Sequence, residues 1–263
     1  MSPIAILTRP EGRNDALSMN LRNAGMDVLP LPALRLSPRY ASLLELPLPH
    51  DFDLVVFVSG YAVHTYINQL KCVAGLTTWP LHVAMATVGP ASARALAAFP
   101  EFCVNTTVLC PDSQAPTYDS EALWEILSAR EALPGRVLIV RGTEGRNWLS
   151  DRLIDKGVHV VRYAAYERSP VEWSSDTVAE LRTLASQGRT ATWLLTSGEG
   201  IDSVLSNIVR ADLMEWWQQS YFIITHPTLR NRLNLGGDPF VMDATVKICL
   251  PADESILTAF VAV

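Results

Sequence analysis

The chain has 263 residues, 49% hydrophobic and 18% charged, a globular composition with material for one large domain or two of ordinary size. Its 27 acidic and 21 basic residues give a formal net charge of −6, and no Lys/Arg run stands out. That excludes the clustered cations which nucleic acid or an anionic membrane surface requires, but leaves room for an anionic small molecule in a local positive pocket.

Apolar runs of strand length alternate with amphipathic stretches of helix length. Strands are expected over 4–8, 27–31, 53–58, 83–88, 104–109, 137–141, 159–163, 191–196, 221–225 and 246–250. Helices are expected over 12–24, 60–71, 90–98, 119–130, 145–156, 174–187, 199–209, 227–234 and 253–262. Runs that are apolar throughout predict parallel strands covered on both faces, and their alternation with helices predicts a doubly wound α/β fold.

The elements recur. Ile6-Leu7-Thr8-Arg9 returns 132 residues later as Leu138-Ile139-Val140-Arg141, with Leu17, Leu21, Gly25 and Val28 echoed by Leu149, Leu153, Gly157 and Val160. Leu54 to Ser59 returns 138 residues later in Trp193 to Ser197, and Val88-Gly89-Pro90-Ala91-Ser92 returns more faintly in Thr225-His226-Pro227-Thr228, 137 residues on. Such an internal duplication predicts two similar lobes, and two lobes predict a cleft for a ligand. A head-to-tail duplication would divide the chain near residue 130. If the first βα unit stays with the last third, the chain crosses between lobes twice, near 36–39 and 166–169, and this second arrangement is preferred.

Several residues fit anion chemistry. Ser59, Ser92, Ser197 and Thr228 each sit at a strand-to-helix turn, where a hydroxyl caps the helix and backbone N–H groups attract negative charge. Arg9 and Arg141 end the two repeated strands. There each would hold a carboxylate bidentately or else form an ion pair with a neighbouring loop. Arg13 and Arg146 lie in the helical turns that come next, and Arg168, at the crossing, either contributes there or pairs with Glu167 or Glu172. The Trp216-Trp217 pair reads as a packing edge, and Gly236-Gly237 as a loop, since no phosphate-binding glycine motif succeeds a strand.

Cys72, Cys103, Cys110 and Cys249 have no CxxC spacing, and the five histidines form no HxxxH pair, so no metal site is expected. Scattered cysteines fit reduced thiols in the cytoplasm. The opening run has neither a basic nor an apolar leader region, and no apolar run approaches the roughly 18 residues of a membrane span, so neither a signal peptide nor a membrane contact is expected.

The chain resembles the uroporphyrinogen-III synthase family along nearly its whole length. The resemblance rests on Leu7-Thr8-Arg9-Pro10, Ser59-Gly60-Tyr61-Ala62-Val63, Val88-Gly89-Pro90-Ala91-Ser92-Ala93 and Asp119-Ser120-Glu121-Ala122-Leu123. It continues through Val137 to Gly142, Gly145-Arg146, Tyr166-Glu167-Arg168 and Thr196-Ser197. Tyr61 stands where the family often has Asn, and His226-Pro227-Thr228 replaces a more usual glycine-containing turn.

The resemblance implies two α/β lobes joined by a short two-stranded connector, one lobe from 1–35 plus 170–263 and the other from 40–165, with 36–39 and 166–169 as the connector. It implies a cofactor-free lyase that cyclises hydroxymethylbilane, a linear tetrapyrrole with eight carboxylates, to uroporphyrinogen III. It makes Tyr166 the candidate proton donor, against a purely packing role in the connector. It adds Arg146 to the substrate anchors Arg9, Ser59, Ser92, Arg141, Ser197 and Thr228. It also implies a cytoplasmic monomer with at most transient contact with neighbouring pathway enzymes. Two other readings share the repeat. One is a non-catalytic two-lobe module that binds a small anion or tetrapyrrole, which would not need Tyr166. The other is a transferase acting on a nucleotide-linked substrate, which would need a glycine-rich loop.

Overall fold

A computed structural model describes residues 3–104, 106–112, 115, 117–233 and 245–263. The chain divides into two units, Met1–Arg35 with Ser169–Val263, and Leu36–Arg168. Each is built on its own sheet.

In the first unit the strands β1 (Ile4–Leu7), β2 (Asp27–Pro30), β9 (Ala191–Leu195), β10 (Tyr221–Ile224) and β11 (Val246–Ile248) lie in the order β11-β10-β9-β1-β2. Successive strand residues face opposite sides, and both sides are covered. Ile4, Ile6, Trp193, Leu195, Phe222 and Ile224 pack on α8 (Gly198–Arg210) and α9 (Met214–Gln218), where Trp217 is buried. Ala5, Leu7, Leu194 and Ile223 pack on α1 (Asp15–Asn23) and α10 (Asp253–Val261) through Leu17, Leu21, Ile256 and Phe260. Each large aliphatic or Phe side chain so buried contributes roughly 1.5–3 kcal/mol. This explains why these strands read as unbroken apolar runs.

The second unit holds β3 (Leu34–Pro38), β4 (Leu54–Phe57), β5 (Ala84–Thr87), β6 (Val108–Leu109), β7 (Arg136–Gly142) and β8 (His159–Pro170), in the order β3-β8-β7-β4-β5-β6. Val55, Phe57, Leu138 and Val140 pack on α2 (Gly60–Ala74) and α3 (Pro90–Leu96). Leu54, Val56, Val137 and Ile139 pack on α5 (Ser120–Ser128) and α6 (Trp148–Asp155). The short helix α4 (Pro100–Cys103) precedes β6, and α7 (Ser175–Ser186) comes after β8.

The echoed glycines end their helices in the same way. Gly25 (φ +82°) and Gly157 (φ +81°) take the left-handed conformation, which costs glycine least. The amide after each returns to the helix, Met26 N to Leu21 O at 3.1 Å and Val158 N to Leu153 O at 3.1 Å. This double-bonded stop drops the chain straight into β2 and β8.

Four expectations are revised. The apolar runs predicted no strand at 34–38, where the resemblance implied only a connector strand over 36–39, and β3 spans Leu34–Pro38. β3 lies at the sheet edge, where a missing N–H costs no ladder bond. The strand expected over 159–163 continues to Pro170 as β8. The strand expected over 104–109 is only Val108–Leu109, and residue 105 lies outside the described residues. The helix expected over 227–234 is a 3-10 turn over Pro227–Arg232, and residue 234 and the Gly236-Gly237 loop lie outside the described residues. Among the described residues no helix is long and apolar enough to cross a membrane, and no group of three or more His, Cys, Asp or Glu is placed to hold a metal ion.

Candidate functional site

The carboxyl edge of each parallel sheet is where strands turn into helices, and the candidate residues gather there. In the second unit, Ser59 lies between β4 and α2, and its Oγ accepts a 3.1 Å hydrogen bond from Ala62 N and caps α2. The same Oγ lies 3.1 Å from the Tyr166 Oη on β8. Two further aromatic and cationic contacts fix the phenol. The Tyr61 ring meets the Tyr166 ring edge-on at 5.0 Å, and Arg168 donates from Nη2 to Tyr166 Oη at 3.1 Å while lying 5.7 Å from the ring centre. Tyr166 is only 1% exposed, so its ring is part of the unit's core.

The ring fits because residue 142 has no side chain. A Cβ at Gly142 would lie 3.0 Å from Cε2 and 3.1 Å from Cζ of Tyr166, inside ordinary contact. The strand ladder shifts register here, with Gly142 opposite Tyr166, which brings the phenol over the glycine. Tyr61 donates its hydroxyl to Leu36 O at 3.2 Å. Burial, and secondarily Tyr166, push its phenol above the ordinary value, so it stays protonated at neutral pH.

Arg141 ends β7 beside this phenol and is 9% exposed. Its bonds go to neutral groups, from Nη1 to Asn147 Oδ1 at 2.6 Å and from Nε to Gly142 O at 3.2 Å. Among the described residues it forms no carboxylate ion pair. Burial lowers its pKa first, and the neighbouring cations Arg162 and Arg168 add to that, against a smaller opposing influence from Glu144. A buried guanidinium pressed by two other cations is a place where an arriving carboxylate relieves the charge.

Arg9, its counterpart at the end of β1, is differently placed. Its Nη1 donates to Asp253 Oδ1 at 2.6 Å and its Nη2 to Pro251 O at 3.1 Å, tying β1 to the start of α10. Of the two strand-end arginines, one is neutralised inside its own unit and one is not. Arg146 forms an ion pair with Glu121 in the first turn of α5, both side chains well exposed.

The hydroxyl turns divide in the same manner. Ser197 caps α8 by accepting from Gly200 N at 3.1 Å. Ser92 is not a cap. Gly89 occupies that position, its carbonyl accepts from Ser92 N and Ala93 N, and Ser92 is buried within α3. Thr228 is not a cap either. His226 Nδ1 accepts from Thr228 N at 3.3 Å and lies 2.7 Å from Thr228 Oγ1. In both turns a proline, Pro90 or Pro227, takes the first helical position, where its missing N–H costs nothing, and the cap falls to the residue before it.

Two cations at these edges were not singled out as binders. Arg168 donates to Tyr166, a contact not anticipated for it, and Glu172, one of its two expected alternatives, pairs with Arg210 at 2.8 Å. Strand alternation carried the signal, since residues two apart on a strand share a face. Arg232 lies over the Ser197 turn, where a Cβ on Gly198 would come within 2.9 Å of its Nε, and it pairs with Asp202 at 2.5 Å.

The second unit therefore offers a cationic, donor-rich edge with one phenol held at its oxygen, a combination suited to binding an acid and delivering a proton. The family model described as "Uroporphyrinogen-III synthase HemD" matches residues 15–241. A mutant uroporphyrinogen III synthase from Thermus thermophilus is similar in structure, with a TM-score of 0.56 and 15% identity over 99% of this chain and 98% of that one. Uroporphyrinogen-III synthetase from Helicobacter pylori gives 0.59 and 15%, over 100% and 99%. At that identity the two structures speak for the fold.

Proposed function

The chain belongs to the uroporphyrinogen-III synthase family, and from that premise we propose how its residues close hydroxymethylbilane to uroporphyrinogen III with inversion of ring D and loss of water. The observation that carries the reading is the pairing of a buried Arg141, which has no carboxylate partner among the described residues, with a phenol held at its oxygen by Ser59 and Arg168.

Arg141 takes a substrate carboxylate through the end of its guanidinium, leaving its bonds to Asn147 and Gly142 in place. Each unit also carries an anion-binding turn of its own, with the first N–H groups of α2 at Ser59 and those of α8 at Ser197, which have no carbonyl one turn behind them. Positive charge is thus local, which reconciles a net charge of −6 with a polyanionic substrate. Ser92 and Thr228 act by shaping their turns, and Arg9 and Arg146 by holding α10 and α5.

Tyr166 gives its phenolic proton to the departing hydroxyl, so that the substrate C–O bond breaks and water leaves. The resulting azafulvene is attacked by the substituted carbon of ring D, and the spiro intermediate reopens and recloses with that ring inverted. The phenolate recovers a proton as the pyrroles regain aromaticity. Much of the reactivity belongs to the substrate, so the protein contributes chiefly by positioning, and general acid help is worth about 10²–10⁴-fold at most. The reading includes a monomer working in the cytoplasm without a cofactor.

The test feeds freshly made hydroxymethylbilane to the purified, metal-free protein, oxidises the products and separates uroporphyrin I from III. Isomer III in large excess over the protein-free control supports the reading. Isomer I alone, from folded protein, overturns it in favour of a non-catalytic binding paralogue.

A further inference from the structure

We infer that Arg168 is a positioning residue that acts through Tyr166, directing the phenolic proton outward and meeting the charge left on its oxygen. The inference rests on the acid role proposed above for Tyr166.

The argument is one of hydrogen-bond capacity. A phenol oxygen has one proton to give and two lone pairs to fill. Arg168 has donors only, so its 3.1 Å contact from Nη2 must occupy a lone pair of Tyr166 Oη. Ser59 Oγ, 3.1 Å away, already accepts from Ala62 N, and its own hydrogen is available for the second lone pair. With both lone pairs filled from within the unit, the remaining proton points to neither Arg168 nor Ser59. It is left for an acceptor that arrives, which is the geometry a donor to a leaving hydroxyl requires. Without Arg168, the phenol has an unfilled lone pair and its proton can settle on Ser59 Oγ.

The cation also matters once the proton has moved. The Tyr166 O–H bond breaks as the substrate C–O bond breaks, the proton leaves in water, and one negative charge stays on Oη. Arg168 then holds that oxygen by a charge-assisted bond already in place, with no side chain needing to reorient. Other titratable or charged groups near the ring include Tyr61 from α2 and Arg141 from β7. Tyr61 spends its own proton on Leu36 O, and Arg141 bonds Asn147 and Gly142, so Arg168 is the cation bonded to the phenol oxygen. Packing strengthens the arrangement, since the guanidinium also lies 5.7 Å from the ring centre.

A double-mutant cycle in the isomer-resolved assay tests this, using wild type, Arg168→Met, Tyr166→Phe and the pair, each checked for a cooperative unfolding transition. The expected result is a kcat about tenfold lower for Arg168→Met with KM within about twofold, and less than about a twofold change when the same substitution is made in Tyr166→Phe. Arg168→Lys, which keeps a cationic donor on a shorter reach, should recover most of the loss, and it carries the test if the Met variant does not fold. A loss of equal size in both backgrounds, or a loss confined to KM, overturns the inference while leaving the acid role of Tyr166 intact. An unchanged kcat in Tyr166→Phe overturns the acid role itself, and the inference with it.

Discussion

The contrast between Arg9 and Arg141 yields the most discriminating prediction. Both end a repeated strand, yet Arg9 is bonded to Asp253 and Arg141 is bonded only to uncharged groups. Replacing Arg141 with Met removes a charge-assisted carboxylate contact from the bound complex, worth about 2–4 kcal/mol when desolvated. At about 1.36 kcal/mol per decade that is about a 30- to 1,000-fold rise in KM. The folded protein changes less. It loses two hydrogen bonds from a charged donor but is relieved of a buried cation crowded by Arg162 and Arg168, so the two effects offset within about 1–2 kcal/mol. Arg9→Met should behave in the opposite way. Loss of a 2.6 Å ion pair between a 13% exposed guanidinium and a 39% exposed carboxylate lowers stability by about 1 kcal/mol, with KM nearly unchanged. Steady-state kinetics and denaturant unfolding of both variants decide the matter. An equal rise in KM for the two would refute the argument that an internal carboxylate partner withdraws an arginine from substrate binding.

Four further outcomes are expected. Tyr166→Phe lowers turnover more than substrate binding, read as kcat against KM in the isomer-resolved assay. Gly142→Ala places a methyl 3.0–3.1 Å from the Tyr166 ring, so it should cost about 1–3 kcal/mol in urea unfolding and lower kcat with it. Ser59→Ala removes the cap of α2 and the hydroxyl facing Tyr166, so about 1 kcal/mol of stability should be lost along with turnover, whereas Ser197→Ala should cost similar stability by its lost cap. Burial raises the phenols of Tyr61, Tyr66 and Tyr163 above their ordinary 10.0. The unfolded chain therefore ionises first, and the stability these groups contribute is full below about pH 10 and is lost as pH rises through their folded values, a decline that denaturant titrations across that range should show.

Most of the architecture was legible because both sheets are covered on two faces. That condition forces strands to be apolar at every position, a pattern distinct from the polar, proline-punctuated loops between them. What escaped was set by position in the sheet. β3 is too mixed to stand out as an apolar run and carries Pro38, which an edge strand tolerates because it lacks only an N–H, so periodicity missed what the resemblance implied as a connector. β8 looked short because its polar second half, Tyr166-Glu167-Arg168-Ser169, does not read as core. The capping residues failed for one identifiable cause. A hydroxyl after a strand reads as a cap, but where the turn contains Gly89-Pro90 or His226-Pro227 the proline claims the first helical position and the cap moves one place earlier. Ser59 and Ser197, each with glycine rather than proline next in the chain, were therefore legible, while Ser92 and Thr228 were not.

The same reasoning shows why duplicated sequence need not give duplicated chemistry. Arg9 and Arg141 end echoed strands, but the partners that neutralise one and leave the other without a carboxylate do not repeat with them. For Arg9 the neighbour is Asp253, 244 residues away at the start of α10. For Arg141 the neighbours are Asn147, within its own loop, and Arg168, on the adjacent strand β8. An acidic first turn in α10 is favoured by its helix dipole, and that local preference is enough to neutralise one arginine of the pair. The β7–α6 loop instead presents an uncharged Asn147 to its arginine, with Glu144 acting only at longer range. The pairing asymmetry between the two strand ends is thus a property of the side chains packed around each strand end in space, and a repeat read along the chain identifies the strand ends without revealing which of them lacks a carboxylate partner.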